Sequence, residues 1–172
     1  VTVTFKEGYN LYVEGKMLAK GTKTDPIKFR KEGLEEMPPE ELWNYNGYLI
    51  NISGEANFIN VDISGGGNIY EVYLKGNELV KKAYANDSYG VIYATDNAKL
   101  KMSDCNIHGN VGGIHLLRAH GENIKVYKTL FDSNNIFDVR NSQSTGYKSP
   151  DFRYNWWRRP EGPEKTGLFI NI

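Results

Sequence analysis

The chain lacks the features that mark several specialised classes of protein. Its 172 residues include one cysteine, so no disulfide can form within the chain. No apolar run approaches the ~20 residues that a membrane-spanning helix requires, which argues against membrane insertion. Basic and acidic residues balance at 21 each, and the sequence therefore has no basic surplus with which to bind a nucleic acid through its phosphates.

Paired aspartates are also missing from the sequence. Each aspartate stands apart from the others, whereas glycoside cleavage requires two carboxylates held a few ångströms apart. No group of acidic residues could provide the several oxygen ligands that a Ca²⁺ ion takes. We therefore predict no catalytic residue, no metal site and no cofactor.

What the sequence does contain is one apolar pattern in three places. The pattern extends from Ala56 to Ile63, recurs 44 residues later from Leu100 to Ile107, and recurs 24 residues after that from Ile124 to Phe131. Within each copy, apolar residues alternate with others, and the alternation shifts by one position at a central turn. Because alternate side chains lie on the same face of a strand, these residues should point into one core. Cys105 belongs to the pattern and is expected to be a small core residue.

A second set of short alternating segments recurs along the chain in parallel with the first pattern. Val91, Ile114 and Phe137 follow one another at steps of 23 residues. Repeats of this length are typical of stacked arrays, in which each unit buries its apolar face on its neighbours. The sequence therefore predicts a single all-β domain over residues 1–172, a parallel β-solenoid of about five to seven coils with ~23 residues each.

Several segments interrupt the repeats. Residues 31–46 contain two consecutive prolines and are expected to form a loop that protrudes from one coil. Residues 68–89 have the length of a coil but no clear register, and they are predicted to form a divergent coil. Asparagines at the coil corners should hydrogen-bond to one another from coil to coil. The aromatic residues within 152–163 are predicted to cap the C-terminal end of the core.

Two segments resemble a known family. The sequence Leu11-Tyr-Val-Glu-Gly15 resembles the first coil of right-handed parallel β-helix proteins on bacterial and archaeal surfaces, which share the pectate-lyase-like superfold. Asn155-Trp-Trp157 followed by Gly162-Pro163 is similar to the element that closes such helices, although Arg158 replaces the usual glycine. The resemblance implies a right-handed solenoid and an extracellular or cell-surface location. It implies no single activity, because the superfold includes both enzymes and non-catalytic adhesins.

One group of polar residues follows from the predicted register. If Val91, Ile114 and Phe137 point inward, then Ile92, His115 and Asp138 point outward in one column, with Arg140 in the next column. Neighbouring coils are ~4.8 Å apart, so an imidazole, a carboxylate and a guanidinium would share one exposed face. We predict Ile92, His115, Asp138 and Arg140 as a binding surface for a sugar or uronic acid. A solvated sheet face without a ligand is the alternative interpretation.

The functional prediction combines this surface with the missing catalytic motifs. We predict a non-catalytic extracellular or cell-surface module of the β-helix superfold that binds polysaccharide or mediates attachment. One alternative is a carbohydrate-active enzyme, a polysaccharide lyase or hydrolase, that uses the face of His115, Asp138 and Arg140. A second alternative is a fibre or tailspike-like segment of a viral or surface assembly, which would form a homo-oligomer.

Overall fold

Most strands in the described part of the chain belong to three sheets in which all strands are parallel. The computed structural model describes residues 1–33, 47–69, 74–75, 78–79, 88–134, 136–142 and 148–158. Sheet 1 contains, in spatial order, β2 (Leu11–Val13), β5 (Ile50–Ile52), β12 (Ile92–Thr95), β15 (Gly112–Leu117) and β18 (Phe137–Ser142). Sheet 2 contains β3 (Lys16–Lys20), β6 (Glu55–Ile59), β13 (Lys99–Ser103) and β16 (Ile124–Tyr127). Sheet 3 contains β1 (Thr2–Phe5), β4 (Ile27–Lys31), β7 (Val61–Ser64), β14 (Asn106–His108), β17 (Leu130–Asp132) and β19 (Trp156–Trp157).

The chain visits the three sheets in a repeating order. It passes from sheet 1 to sheet 2 to sheet 3 through β2, β3 and β4, and repeats that order through β5, β6 and β7. Two further passages follow, through β12, β13 and β14 and then through β15, β16 and β17. One passage through the three sheets is called a coil below. The predicted all-β class is confirmed, and the parallel arrangement fits a parallel β-solenoid.

The apolar residues of the repeated pattern lie beside one another in the core. Leu100 pairs with Ala56 on one side and with Ile124 on the other, and all three side chains are fully buried. Ile107 pairs in the same way with Ile63 and Phe131. Full burial of a side chain of this size is worth about 1.5–3 kcal/mol, so the core rows are the main source of stability. These partnerships confirm the spacing inferred from the sequence.

A left-handed residue recurs just before four strands of sheet 3, namely β7, β14, β17 and β19. Asn60, Asp104, Lys128 and Tyr154 have φ angles of 50°, 54°, 48° and 63°. Asparagine and aspartate adopt this conformation readily, whereas lysine and tyrosine do so less often. The same corner is therefore repeated from coil to coil, and it aligns the residues that follow it on the outer face of sheet 3.

The asparagine ladder is confirmed at the turn that follows sheet 3. The Nδ2 of Asn110 donates hydrogen bonds to the carbonyl oxygen of Ile63 at 3.1 Å and to Oδ1 of Asn134 at 3.0 Å. Its Oδ1 accepts a hydrogen bond from the backbone N–H of Gly66 at 2.9 Å. Three coils are thus joined through one buried amide.

The prediction of a divergent coil at residues 68–89 is wrong for the part that the structure describes. There, β8 (Asn68–Ile69) pairs antiparallel with β11 (Ser88–Tyr89), and β9 (Leu74–Lys75) pairs antiparallel with β10 (Glu78–Leu79). No coil can fit between its neighbours, because β5 hydrogen-bonds directly to β12. The described residues of this stretch therefore form antiparallel pairs apart from the parallel stack, which resumes with β12.

Parts of two other predictions lie outside the described residues. The protruding loop was placed at 31–46, but Lys31 still belongs to β4, and residues 34–46 are outside the described part. Of the C-terminal cap at 152–163, residues 152–158 are described. Phe152 is fully buried, and the ring of Trp157 stacks on Phe131 with centroids 4.5 Å apart. Trp156, in contrast, is 58% exposed on the outer face and does not cover the core.

Candidate functional site

The predicted column on sheet 1 has a different register in the structure. Ile92 pairs with Ile114, which pairs with Val139, and these three residues form the core row. Ile92 was predicted to point outward but is fully buried. The prediction failed because Val91 and Ile92 are both apolar, so alternation alone does not decide which of them faces the core.

A close approach between Gly112 and Phe137 explains the shift at the next coil. Gly112 lies directly opposite Phe137, and a Cβ atom on Gly112 would be 2.5 Å from the phenyl ring. Phe137 therefore needs glycine opposite it, and Val139, two residues later, takes the core position beside Ile114. Phe137 itself is buried against His115, with ring centroids 6.1 Å apart.

His115 and Arg140 are neighbours in the structure, whereas Asp138 is not opposite His115. His115 lies opposite Tyr93 on one side and Arg140 on the other. The guanidinium of Arg140 covers the Phe137 ring at 4.1 Å from its centroid. Asp138 accepts a hydrogen bond from Nδ2 of Asn134 at 3.0 Å and so belongs to the asparagine ladder.

Burial limits what the side chains of His115 and Arg140 can bind. Only 6% of His115 and 7% of Arg140 are exposed. Burial, together with the charge of Arg140, lowers the pKa of His115 to about 4, so the imidazole is neutral at pH 7. Its Nε2 lies 3.1 Å from the hydroxyl of Ser142. A neutral and covered histidine offers little surface to a sugar chain.

An open cleft of about 390 Å³ lies instead on the outer side of sheet 3, next to the left-handed corners. Four coils and the segment that contains β19 contribute to it. Its lining consists of Thr22, Lys23, Pro26, Asn60, Val61, Asp62, Asp104, Cys105, Asn106, Lys128, Leu130 and Trp156. Buried Val61 and Cys105 form its floor, and burial raises the pKa of the Cys105 thiol to about 11. That thiol is therefore protonated and unreactive at neutral pH.

One row of outward residues crosses the cleft. Asp62 pairs with Asn106, Asn106 with Leu130, and Leu130 with Trp156, in register on β7, β14, β17 and β19. Exposure rises along the row, to 39% for Leu130 and 58% for Trp156. The row thus changes from polar groups at one end to an exposed aromatic ring at the other, over about 15 Å for four strands at parallel spacing.

A hydrogen-bonded group forms the polar end of the row. Asp62 Oδ1 lies 3.3 Å from Nε2 of His108, and its Oδ2 accepts a hydrogen bond from Nδ2 of Asn106 at 3.4 Å. Burial raises the pKa of Asp62. The hydrogen bonds from His108 and Asn106, with the charge of His108, lower it by more, so the pKa of Asp62 lies below its usual range. Asp62 is therefore an ionised acceptor at neutral pH. The Oδ1 of Asn106 is buried and has no partner in the described part of the chain.

The sequence interpretation missed this cleft for two reasons. Asp62 and Asp104 are 42 positions apart in the chain and were treated as isolated, yet they line the same space. Trp156 was assigned with Trp157 to the cap, although neighbouring residues in a strand must point to opposite faces. That alternation was the available signal, and it places one tryptophan of the pair outside.

Comparison with protein-family models, with curated proteins and with solved structures gives no match to this chain. Within the described ranges, no three His, Cys, Asp or Glu side chains converge in a way that could hold a metal ion. No helix within the same described ranges is long and apolar enough to cross a membrane.

Proposed function

We propose that the chain is a right-handed parallel β-helix that binds polysaccharide in the cleft of sheet 3. The single observation that carries the proposal is exposed Trp156, which ends a row that begins with the hydrogen-bonding side chains of Asp62 and Asn106 in an open cleft. An indole face stacks on the apolar face of a sugar ring. Carboxylate, amide and ammonium groups can bind its hydroxyls, as in ligand sites that combine an apolar wall with a few polar groups.

The shape of the cleft supports a chain rather than a single small molecule. Its lining comes from successive coils, so equivalent positions recur along the stack at about 4.8 Å. A polymer with repeating units can contact several coils at once. The resemblance to surface β-helix proteins supports an extracellular or cell-surface location for such a module.

A glycan array that includes neutral and acidic polysaccharides tests the proposal, followed by titration of the best ligand against variants. Trp156→Ala should weaken binding at least tenfold, or about 1.4 kcal/mol, because the stacking platform is lost. Its unfolding free energy should change by about 0.5 kcal/mol or less, because the ring is mostly exposed.

The adjacent tryptophan provides the matched control. Trp157→Ala should destabilise the protein, since this ring packs on Phe131, but it should leave the affinity of the folded protein within about twofold. Equal losses of affinity in both variants, or no binding to any glycan, would contradict the proposal.

The cleft also favours a second candidate, a glycoside hydrolase. Asp62 and Asp104 line the same space, and a pair of carboxylates is what glycoside cleavage uses. Release of reducing sugar from a bound polymer, lost in both Asp62→Asn and Asp104→Asn, would establish this activity. Binding without product release would leave the non-catalytic function.

A further inference from the structure

The outer face of sheet 2 carries an unbalanced positive charge. Its outward positions contain five lysines and one glutamate, namely Lys16, Lys20, Lys99, Lys101, Lys125 and Glu55. Glu55 lies in register between Lys16 and Lys99, 4.0 Å from Lys16. Asp151 is in register with Lys125 and is bound by Arg153 at 2.8 Å. The chain as a whole has a formal net charge of zero, so this face differs sharply from the rest.

The lysines are brought together by the register of the sheet. Lys101 lies directly opposite Lys125, and Lys99 lies two residues from Lys101 on the same outer face. Neighbouring strands are about 4.8 Å apart, and alternate residues of one strand are about 6.6 Å apart. Like charges directly opposite each other in a sheet are destabilising. An anion along the row would remove that repulsion.

We propose that this face binds an acidic polysaccharide, whose carboxylate or sulfate groups lie along the lysine rows. Lysines face outward on three of the four strands, β3, β13 and β16, which suits a linear polymer that crosses successive coils. Lysine acts as a mobile point charge and does not impose the planar geometry with which arginine recognises phosphate. This face of sheet 2 is separate from the cleft of sheet 3, and binding here does not require binding in the cleft.

A nucleic acid fits this face less well. Proteins that bind single strands without sequence preference combine positive charge with several aromatic rings on which bases stack. On the described outer face of sheet 2, the outward aromatic residue is Tyr127, and it is half-buried. A duplex is read by an element that enters a groove, which the side of a sheet does not do.

Binding of polygalacturonate and heparin, with dextran as the uncharged control, tests the inference in 50 mM and 300 mM salt. Both acidic polymers should bind at low salt and weaken at least tenfold at high salt, because the interaction is electrostatic. Lys101→Gln with Lys125→Gln should weaken binding and reduce the magnitude of the negative slope of log affinity against log salt by about one to two. The matched control is Lys6→Gln with Lys31→Gln, which removes the same charge elsewhere and should leave the slope unchanged.

Two further comparisons distinguish binding at the lysine face from binding in the cleft and from binding of other classes of partner. Trp156→Ala should retain the salt-dependent binding, so failure of the cleft proposal leaves this one standing. Equal effects of the two lysine variants would overturn the inference. So would stronger binding to oligothymidylate or to phosphatidylserine vesicles than to either acidic polysaccharide.

Discussion

The side-chain amide of Asn110 donates a hydrogen bond to Oδ1 of Asn134, one coil further along the stack, at a distance of 3.0 Å. Asn134 in turn donates to the carbonyl oxygen of Ile107 at 3.0 Å, so each amide repeats the contacts of the previous one. Asn110 is fully buried. The ladder therefore satisfies backbone groups that water does not reach at the turn after sheet 3.

Replacing Asn110 with alanine should lower the free energy of unfolding by about 2–4 kcal/mol. The substitution leaves the N–H of Gly66 and the carbonyl of Ile63 buried without their partner. Chemical denaturation measures the loss. Asn57→Ala, at a half-buried outward position of sheet 2, is the control and should stay within about 0.5 kcal/mol of the parent. A mild effect of Asn110→Ala would show that the ladder is not structural.

Ile114 tests the corrected register of sheet 1. Its side chain packs between Ile92 and Val139 in a fully buried row. Ile114→Ala should therefore cost about 2–4 kcal/mol through the cavity that it leaves. Leu117→Ala, on the outer face of the same strand, should cost about 1 kcal/mol or less. Similar losses at both positions, measured by urea denaturation, would contradict the register.

Stability should fall as the pH is lowered from about 6.5 to 4. The pKa of His115 is lowered from 6.5 to about 4 in the folded chain, so the unfolded chain binds more protons in this window. The contribution of neutral His115 to the free energy of unfolding is fully present above pH 6.5. Roughly 3 kcal/mol of it is lost by the time the pH reaches 4.

The control for this pH effect removes the titrating group itself. His115→Gln keeps a hydrogen-bonding side chain near Ser142 but cannot take up a proton in this range. Its unfolding free energy should vary less between pH 6.5 and pH 4 than that of the parent chain. Identical slopes in the two proteins, measured by denaturant titration at several pH values, would assign the effect to other groups.

The Cys105 thiol should resist alkylation while the protein is folded. It is 4% exposed, and burial raises its pKa to about 11, so little reactive thiolate forms at pH 8. Labelling with a thiol reagent should be complete within minutes in denaturant and slower by orders of magnitude in native buffer. Rapid labelling of the folded protein would show that the reagent reaches the Cys105 thiol through the floor of the cleft.

The stacking of coils could be predicted from the sequence, because burial requires apolar residues at a fixed spacing. Ala56, Leu100 and Ile124 occupy equivalent places in the pattern and lie side by side in the core. The spacing is informative wherever polar residues separate the apolar ones. Where they do not, as at Val91 and Ile92, either residue satisfies the pattern, and the contact of Phe137 with Gly112 sets the register instead.

Both proposed binding surfaces depended on tertiary structure. Lys16 and Lys125 are more than a hundred positions apart, and the sequence shows a neutral chain in which no basic segment includes them both. Pairing of β3, β6, β13 and β16 places them on one face. The sequence by itself determined which residues are apolar enough to form a repeated core. Only the register between coils decided which polar residues became neighbours, because outward side chains have no burial requirement that would mark them in the sequence.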